Sequence, residues 1–362
     1  MSLLTNASAF KIWGEIMQNL STDLDRLIVY SRFLGSKPQM IQAAGGNTSV
    51  KSDGVMWIKA SGCWLSDVED KGSFLSMDLN RILVALANPE ATDADMRTCV
   101  CSESVAVRPS IEVPMHAAIP HRFVVHSHCV DVIAILIQQD AEQRLNRCLE
   151  GLDWAFIPYV KPGVPLSRMV SKAAQAGTRI FFLANHGLIV AGKTLEEIDS
   201  ITRIVLRRLA KNTAATMPVP RARQFSLKGS GFSWAKDPLS HQIAHDETWI
   251  NILSKGSFTP DILVFLGPAL PVLDPQDTVL EDLARLAKSQ LPFNCAVIIR
   301  GVGVALRDDA YLGSEELLRC ARDILSVLPE DSDIAYFSEQ EQFELLNWDA
   351  EKYRQALNEQ GA

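Results

Sequence analysis

Arg108–Asp131, RPSIEVPMHAAIPHRFVVHSHCVD, decides how the chain is read, because it packs a carboxylate and four of the seven histidines into one short span. Within it Phe123–His128, FVVHSH, has the pattern of a short apolar strand. Strand side chains alternate faces, so His126 and His128 point the same way, and two imidazoles a pleat apart can grip one ion. Neutral imidazoles suit zinc, which takes further ligands to complete its tetrahedron. His186 is the candidate third ligand, standing in FFLANHGLIVAG where an apolar run opens into a turn at Asn185-His186-Gly187. Glu112 is the fourth. Its segment resembles the start of a helix, with Ser110 able to cap it and Pro114 tolerated in the first turn. A carboxylate there could ligate the metal at rest and serve as a base once substrate displaces it. An isolated His-x-His is more often packing than ligation, so the surrounding motifs carry the decision.

Upstream, Thr48–Lys51 and Val55–Ile58 flank Ser52-Asp53-Gly54, the signature of a hairpin. Gly45-Gly46-Asn47-Thr48-Ser49 precedes its first strand. Paired glycines expose backbone N–H groups and can hold phosphate without a basic patch, although Gly-Gly-Asn is also an ordinary turn. Lys59, opening Lys59-Ala60-Ser61-Gly62, either offers an anion a positive charge or ends a strand in solvent.

Ser8–Leu34 has helical spacing and breaks near Ser21-Thr22, which predicts two helices. Asp78–Asn88 is expected to be a helix, and Pro89–Glu103 a polar loop. After the histidines come helices over Val132–Ile137 and Ala141–Leu149, a buried strand over Trp154–Tyr159, a helix near Ser167–Gln175 and a strand over Arg179–Ala184. Thr194–Glu197 is a capping box, starting a helix whose Ile198, Ile201, Val205 and Leu209 share one face. Strands interleaved with helices describe an α/β layered domain whose central sheet is mostly antiparallel, since a hairpin begins it.

At 362 residues, two domains are expected. Residues 213–233 are rich in Pro, Gly, Ser and basic side chains, so the expected division is a catalytic domain over 1–215, a linker over 216–233 and a smaller C-terminal α/β domain over 234–362. There Asp237-Pro238 opens a helix, Ile262–Leu266 is a strand ended by Gly267-Pro268, Asp277–Gln290 is helical, Cys295–Arg300 is a strand, and Gly313–Leu328 a helix. Ser338–Glu341 is a capping box beginning a terminal helical region. FFLANHGLIVAG followed by a helix is echoed by VIIRGVGVALRD (Val297–Asp308) followed by another, without the histidine. That echo is either a duplicated half without a metal site or the common look of any strand, glycine turn and helix. His241 and His245, four apart, could form a second metal pair but more simply line a helix surface.

A net charge of −8 argues against a nucleic-acid surface, which needs a basic stripe. Seven cysteines without framework spacing fit a reducing compartment. Lys11 and Glu15 break up the N-terminal apolar residues, unlike a signal peptide, and the longest apolar run, Val124–Ile137, is too short and too polar to span a bilayer. A cytoplasmic protein without membrane partners is therefore expected.

Taken in order, Gly45–Ser49 (GGNTS), Lys59–Gly62 (KASG), Pro109–Glu112 (PSIE), His126–His128 (HSH) and Asn185–Leu188 (NHGL) resemble the motifs of the class II aldolase/adducin family over about the first 210 residues. Within the family the chain looks most like the aldolase portion of the bifunctional rhamnulose-1-phosphate aldolase/alcohol dehydrogenase proteins, and more distantly like L-fuculose-phosphate aldolase. The resemblance implies the family's layered fold and one zinc ion on His126, His128 and His186. It further implies that Glu112 is both resting ligand and proton shuttle, and that Gly46, Asn47, Ser61, Gly62 and Ser110 bind the substrate phosphate. The implied reaction is retro-aldol cleavage of a phosphorylated ketose through a metal-stabilised enediolate, in a homo-oligomer that is typically a tetramer. Two positions depart from the pattern: Ile111 stands where a second phosphate-loop serine is common, and the tyrosine that donates a proton to the leaving aldehyde has Tyr159 as its candidate. Same-family epimerisation, dehydration or decarboxylation, and a non-catalytic adducin-like interaction protein, remain the alternatives. Four retained metal-site residues favour the enzyme.

Overall fold

The computed structural model describes residues 20–101, 108–210 and 225–359. They form two compact units. One takes the segments up to His128, Cys148–Leu183 and Gly187–Leu209; the other takes Cys129–Arg147, Ala184–His186 and the segment from Ala210 onward.

In the first unit, the Thr22 hydroxyl accepts from Asp25 N and starts helix α1 (Asp23–Gly35). The break expected at Ser21-Thr22 is thus an N-cap, and the helix expected before it lies outside the described residues. Strands β1 (Asn47–Ser52) and β2 (Val55–Lys59) form the hairpin, and β3 (Phe74–Asp78) pairs with β2. Asp78 caps helix α2 (Leu79–Ala87). The stretch read as a polar loop contains a short helix, α3 (Asp93–Arg97), because Thr92 and Asp95 form a capping box there. Helix α4 (Val113–Ala118) leads into β4 (Phe123–Ser127).

The chain then contributes α5 (Val130–Leu136) and most of α6 (Ala141–Cys148) to the second unit. It re-enters the first through β5 (Ala155–Ile157), α7 (Val164–Ala174), β6 (Ile180–Leu183), β7 (Gly187–Gly192) and α8 (Leu195–Leu209). The expected buried strand over Trp154–Tyr159 is only three residues long and half-buried, since β5 is an edge strand. Of the capping box at α8, only half forms: Thr194 accepts from Glu197 N, whereas the Glu197 carboxylate takes Lys193 N. The sheet runs β3-β2-β1-β4-β7-β6-β5, antiparallel throughout except for β5 beside β6. Met56, Met77, Ile82 and Val113 anchor one part of its core, and Met115, Val124, Phe181 and Ile189 another.

Lys51 stitches β1 to the turn between α4 and β4, its ammonium donating to the carbonyls of Ile119 (2.7 Å) and His121 (3.0 Å). Burial pushes its pKa down from 10.5 to about 7. Between those two values the unfolded chain holds a proton that the folded one has released, so stability rises with pH across that window and is lowest below it. Lys51→Met is expected to flatten this slope in urea unfolding followed from about pH 7 to pH 9.5. Parallel pH profiles for variant and parent would show that the ammonium stays charged in the fold.

In the second unit, β8 (Phe232–Trp234), which spans the end of the expected linker and the first residue of the expected C-terminal domain, is a strand of a four-stranded sheet. The helix expected at Asp237-Pro238 is a 3-10 helix over Ser240–His245, followed by α9 (Glu247–Lys255) capped by Asp246. The strand expected over Ile262–Leu266 is instead helix α10 (Pro260–Leu266). Thr259 caps it, Pro260 occupies its first turn, and it is buried on every side, so its apolar residues show no helical period. Then come β9 (Val272–Leu273), α11 (Val279–Leu286), β10 (Ala296–Ile299), β11 (Gly303–Arg307) and α12 (Ser314–Val327). Helix α13 (Glu339–Leu346) starts on the expected Ser338/Glu341 capping box, and α14 (Asp349–Glu359) follows.

The echo in the sequence is a repeat in the topology. In the first unit β5, α7, β6, β7 and α8 follow one another, with β5 parallel and β7 antiparallel to β6, and β4 on the far side of β7. In the second, β9, α11, β10, β11 and α12 do the same, with β8 on the far side of β11. The registers match residue for residue: Leu183↔Gly187 corresponds to Ile299↔Gly303. Asn185 and Gly301 then coincide, both at positive φ (57° and 67°). Trp234 stands at the position of His126, and Val302 at that of His186. The second copy lacks the imidazoles.

Candidate metal centre

Antiparallel pairing brings the motifs to one end of the inner strands of the seven-stranded sheet. Asn47 at the start of β1 pairs with His126 near the end of β4, and Ser127 pairs with Leu188 near the start of β7. His128 follows β4 and His186 precedes β7, so a register of this kind sets their rings side by side. Their ligand atoms, with those of His126, all lie within 4.8 Å of one another, and all three residues are buried. Nε2 of His128 is 3.1 Å from Nε2 of His126. Two nitrogens on a tetrahedral zinc, each about 2.05 Å from it, stand about 3.3 Å apart, so this pair already has the separation of two ligands on one ion. The His126 Nδ1 faces the Leu188 carbonyl at 3.1 Å. A carbonyl can only accept, so in the neutral ring Nδ1 carries the hydrogen and Nε2 presents its lone pair. The donor set and its orientation fit a divalent cation.

Glu112 sits at the N-cap position of α4, with Pro114 in the helix's first turn. Its Oε1 lies 3.3 Å from His126 Nε2, which puts the carboxylate beside that imidazole, while the group of ligand atoms within 4.8 Å of one another is made of the three histidines without it. The Ser110 hydroxyl accepts from Glu112 N (3.2 Å) and from Asn47 Nδ2 (2.7 Å), joining two of the expected phosphate residues directly. Ser61 N donates to Arg108 O, bringing the Ser61-Gly62 turn beside Pro109 and Ser110. Gly46 has φ +66°, and a Cβ there would come within 2.9 Å of the His126 carbonyl and 2.3 Å of Ile41 Cδ1, so only glycine lets this loop meet β4. Gly187 is constrained in the same way: its Cβ would lie 2.5 Å from Ser127 O and 3.1 Å from His126 Cε1.

Lys59 is buried, its ammonium donating to Ala44 O (3.2 Å) and Cys63 O (2.6 Å), carbonyls of the two loops that flank the site. Tyr159 follows β5, half-buried, two strands away from β7. Among the described residues His126, His128 and His186 form the one group of this kind, and His241 and His245 are not part of any.

Three features escaped the sequence. Leu188 acts through its carbonyl, which leaves no trace in residue type. Asn185 adopts a left-handed φ of 57°, a conformation for which Asn is suited and which could have been suspected from its place in a tight turn. His116, one turn along α4 from Glu112, shares a 2.8 Å hydrogen bond with Ser49 Oγ. Burial, with Lys51, His126 and Lys59 adding to it, holds that imidazole well below its ordinary pKa and keeps it neutral.

The sequence model of the Class II Aldolase and Adducin N-terminal domain matches residues 25–206. An uncharacterized oxidoreductase of Bacillus subtilis (strain 168), YuxG, is 29% identical over 201 residues, which make up 51% of this chain and 29% of that one. The match therefore spans less than a third of that relative. The N-terminal class II aldolase domain of a conserved protein from Thermoplasma acidophilum is 26% identical, covering 53% of this chain and 93% of its own, with a TM-score of 0.48. An L-fuculose 1-phosphate aldolase is 22% identical, covering 52% of this chain and 84% of its own, with a TM-score of 0.38. With half of its length matched by the family's model, and that family's motifs gathered at one end of the sheet's inner strands, the chain belongs to the class II aldolase and adducin N-terminal domain family.

Proposed function

We propose that the protein is a zinc-dependent aldehyde-lyase that cleaves a phosphorylated ketose to dihydroxyacetone phosphate and an aldehyde. The observation that supports it most is the coincidence of three buried imidazoles with a carboxylate 3.3 Å from one of them. His126, His128 and His186 would hold the zinc ion, which would supply Lewis acidity toward a carbonyl oxygen. Glu112 would deliver the proton to the substrate carbon from which the aldehyde has separated, and remove it in the reverse direction. Gly46, Asn47, Ser61, Gly62 and Ser110 bind the phosphate through hydroxyl, amide and backbone N–H groups and so orient the scissile bond. Asn47 and Ser110 already share a hydrogen bond, so the phosphate meets a pre-arranged pair. Lys59 ties the two flanking loops together by their carbonyls, which keeps the phosphate pocket's walls in place. Tyr159, although it follows the edge strand β5, is the proposed partner for the hydroxyl that becomes the aldehyde oxygen, taking its proton on cleavage and returning it in the aldol direction.

The seven cysteines are all free thiols, which suits the cytoplasm. Among the described residues no helix is long and apolar enough to cross a membrane. A homo-oligomer, tetrameric as in the family's aldolases, is part of the same proposal.

The test is a panel of ketose 1-phosphates and related sugar acids, scored for triose phosphate release with and without chelator. Chelator-sensitive release from at least one ketose phosphate is expected. Turnover without carbon–carbon cleavage would favour a same-family epimerase, dehydratase or decarboxylase. A folded protein inert toward the whole panel and free of metal would favour the interaction protein.

A further inference from the structure

Asn185 precedes the third proposed ligand and is held from three directions. Its backbone N–H donates to Leu136 O (3.1 Å), at the end of α5. Its side-chain Nδ2 donates to both Phe258 O (2.9 Å) and Ala335 O (2.7 Å). Those acceptors are themselves tied down: Ala335 N donates to Ile137 O, and Phe337 N to Ser257 O. Residues Ala184–His186 accordingly group with the second unit although β6 and β7, which they connect, belong to the first sheet. The left-handed Asn185 sets the backbone from which the next side chain springs, so whatever fixes Asn185 places His186.

We propose that Asn185 is a positioning residue through which the C-terminal region, by the carbonyls of Phe258 and Ala335, sets the ring of His186 for metal binding. This rests on the metal reading above. It gives the C-terminal region a task outside its repeat: the segments at Phe258 and Ala335 supply acceptors to the turn. Preorganising a ligand in this way raises metal affinity, because less conformational freedom is lost on binding.

The test uses the full-length chain stripped of metal and titrated with Co2+ against a chromophoric chelator. Asn185→Gly keeps the left-handed backbone and removes both amide donors. It is expected to bind cobalt about tenfold more weakly, with an altered visible absorption band. Ser332→Ala is the control: it removes a hydrogen bond to Gln138 (3.1 Å) within the same unit without touching the turn, and is expected to bind as the parent does. Should Asn185→Gly fail to fold, Asn185→Asp takes its place, since it keeps the size and replaces the amide donors by an acceptor facing two carbonyls. Unchanged affinity and band in whichever Asn185 variant folds would overturn the inference while leaving the metal reading standing, as would an equal loss in Ser332→Ala. A parent that takes up no cobalt would remove the metal reading and this inference with it.

Discussion

His126→Ala and His186→Ala chains are each expected to purify folded and with almost no zinc, against about one ion per chain in the parent. His126 is wholly buried on the fourth strand, and its Nδ1 is committed to the Leu188 carbonyl, so Nε2 is the atom it would offer an ion. An alanine there leaves two imidazoles, and at His186 it leaves the 3.1 Å pair of His126 and His128 without a third donor. Two nitrogens hold zinc far less tightly than three, and elemental analysis after gel filtration reads the difference. One ion rather than two is expected because the repeated topology of the C-terminal unit carries Trp234 and Val302 at the matching positions, and neither can ligate. Chelator should lower the melting temperature of the parent and leave that of the variants unchanged. A parent protein that is folded and metal-free would end the catalytic reading altogether.

Glu112→Gln is the second large effect. The substitution keeps the shape of a buried side chain and removes the charge and the basic lone pair, so the histidine cluster should still load its ion. Turnover of any ketose phosphate that the parent cleaves should fall by about two to four orders of magnitude, the usual contribution of a positioned acid–base group. The fall should appear in kcat, with KM little changed, because the proton is moved in the transition state and the phosphate is held elsewhere. Equal kcat in the two proteins, each with its ion, would assign the proton transfer to another group and leave Glu112 as a ligand alone.

Most of the site was legible because its residues are local signals. His126 and His128 are two apart on a strand, and alternation alone puts them on one face. The Asp-Gly hairpin, the helix break at Ser21-Thr22 and the Ser338 capping box are written in a few adjacent residues, and each lies where it was expected. Ile262–Leu266 was misread for the opposite reason: a helix buried all round shows no period, and Thr259-Pro260-Asp261 was the stronger clue. The short helix at Asp93–Arg97 was hidden by polar residues, and the half-formed box at Thr194 by the choice its glutamate makes between two neighbouring amides.

By itself the sequence determined the family, the alternation that aligns two imidazoles and the glycines that allow close approach, since each is written in short local motifs; the echo of Phe181–Gly192 in Val297–Asp308 became a repeat only through the matching strand registers. Only the tertiary structure decided that His186 meets the other two, that Leu188 sets the tautomer of His126, that Lys59 serves the loops' own carbonyls, and that Asn185 is anchored at Phe258 and Ala335. Backbone carbonyls carry no residue code, and partners separated by 73 and 150 positions meet only once strand register and helix packing have been settled.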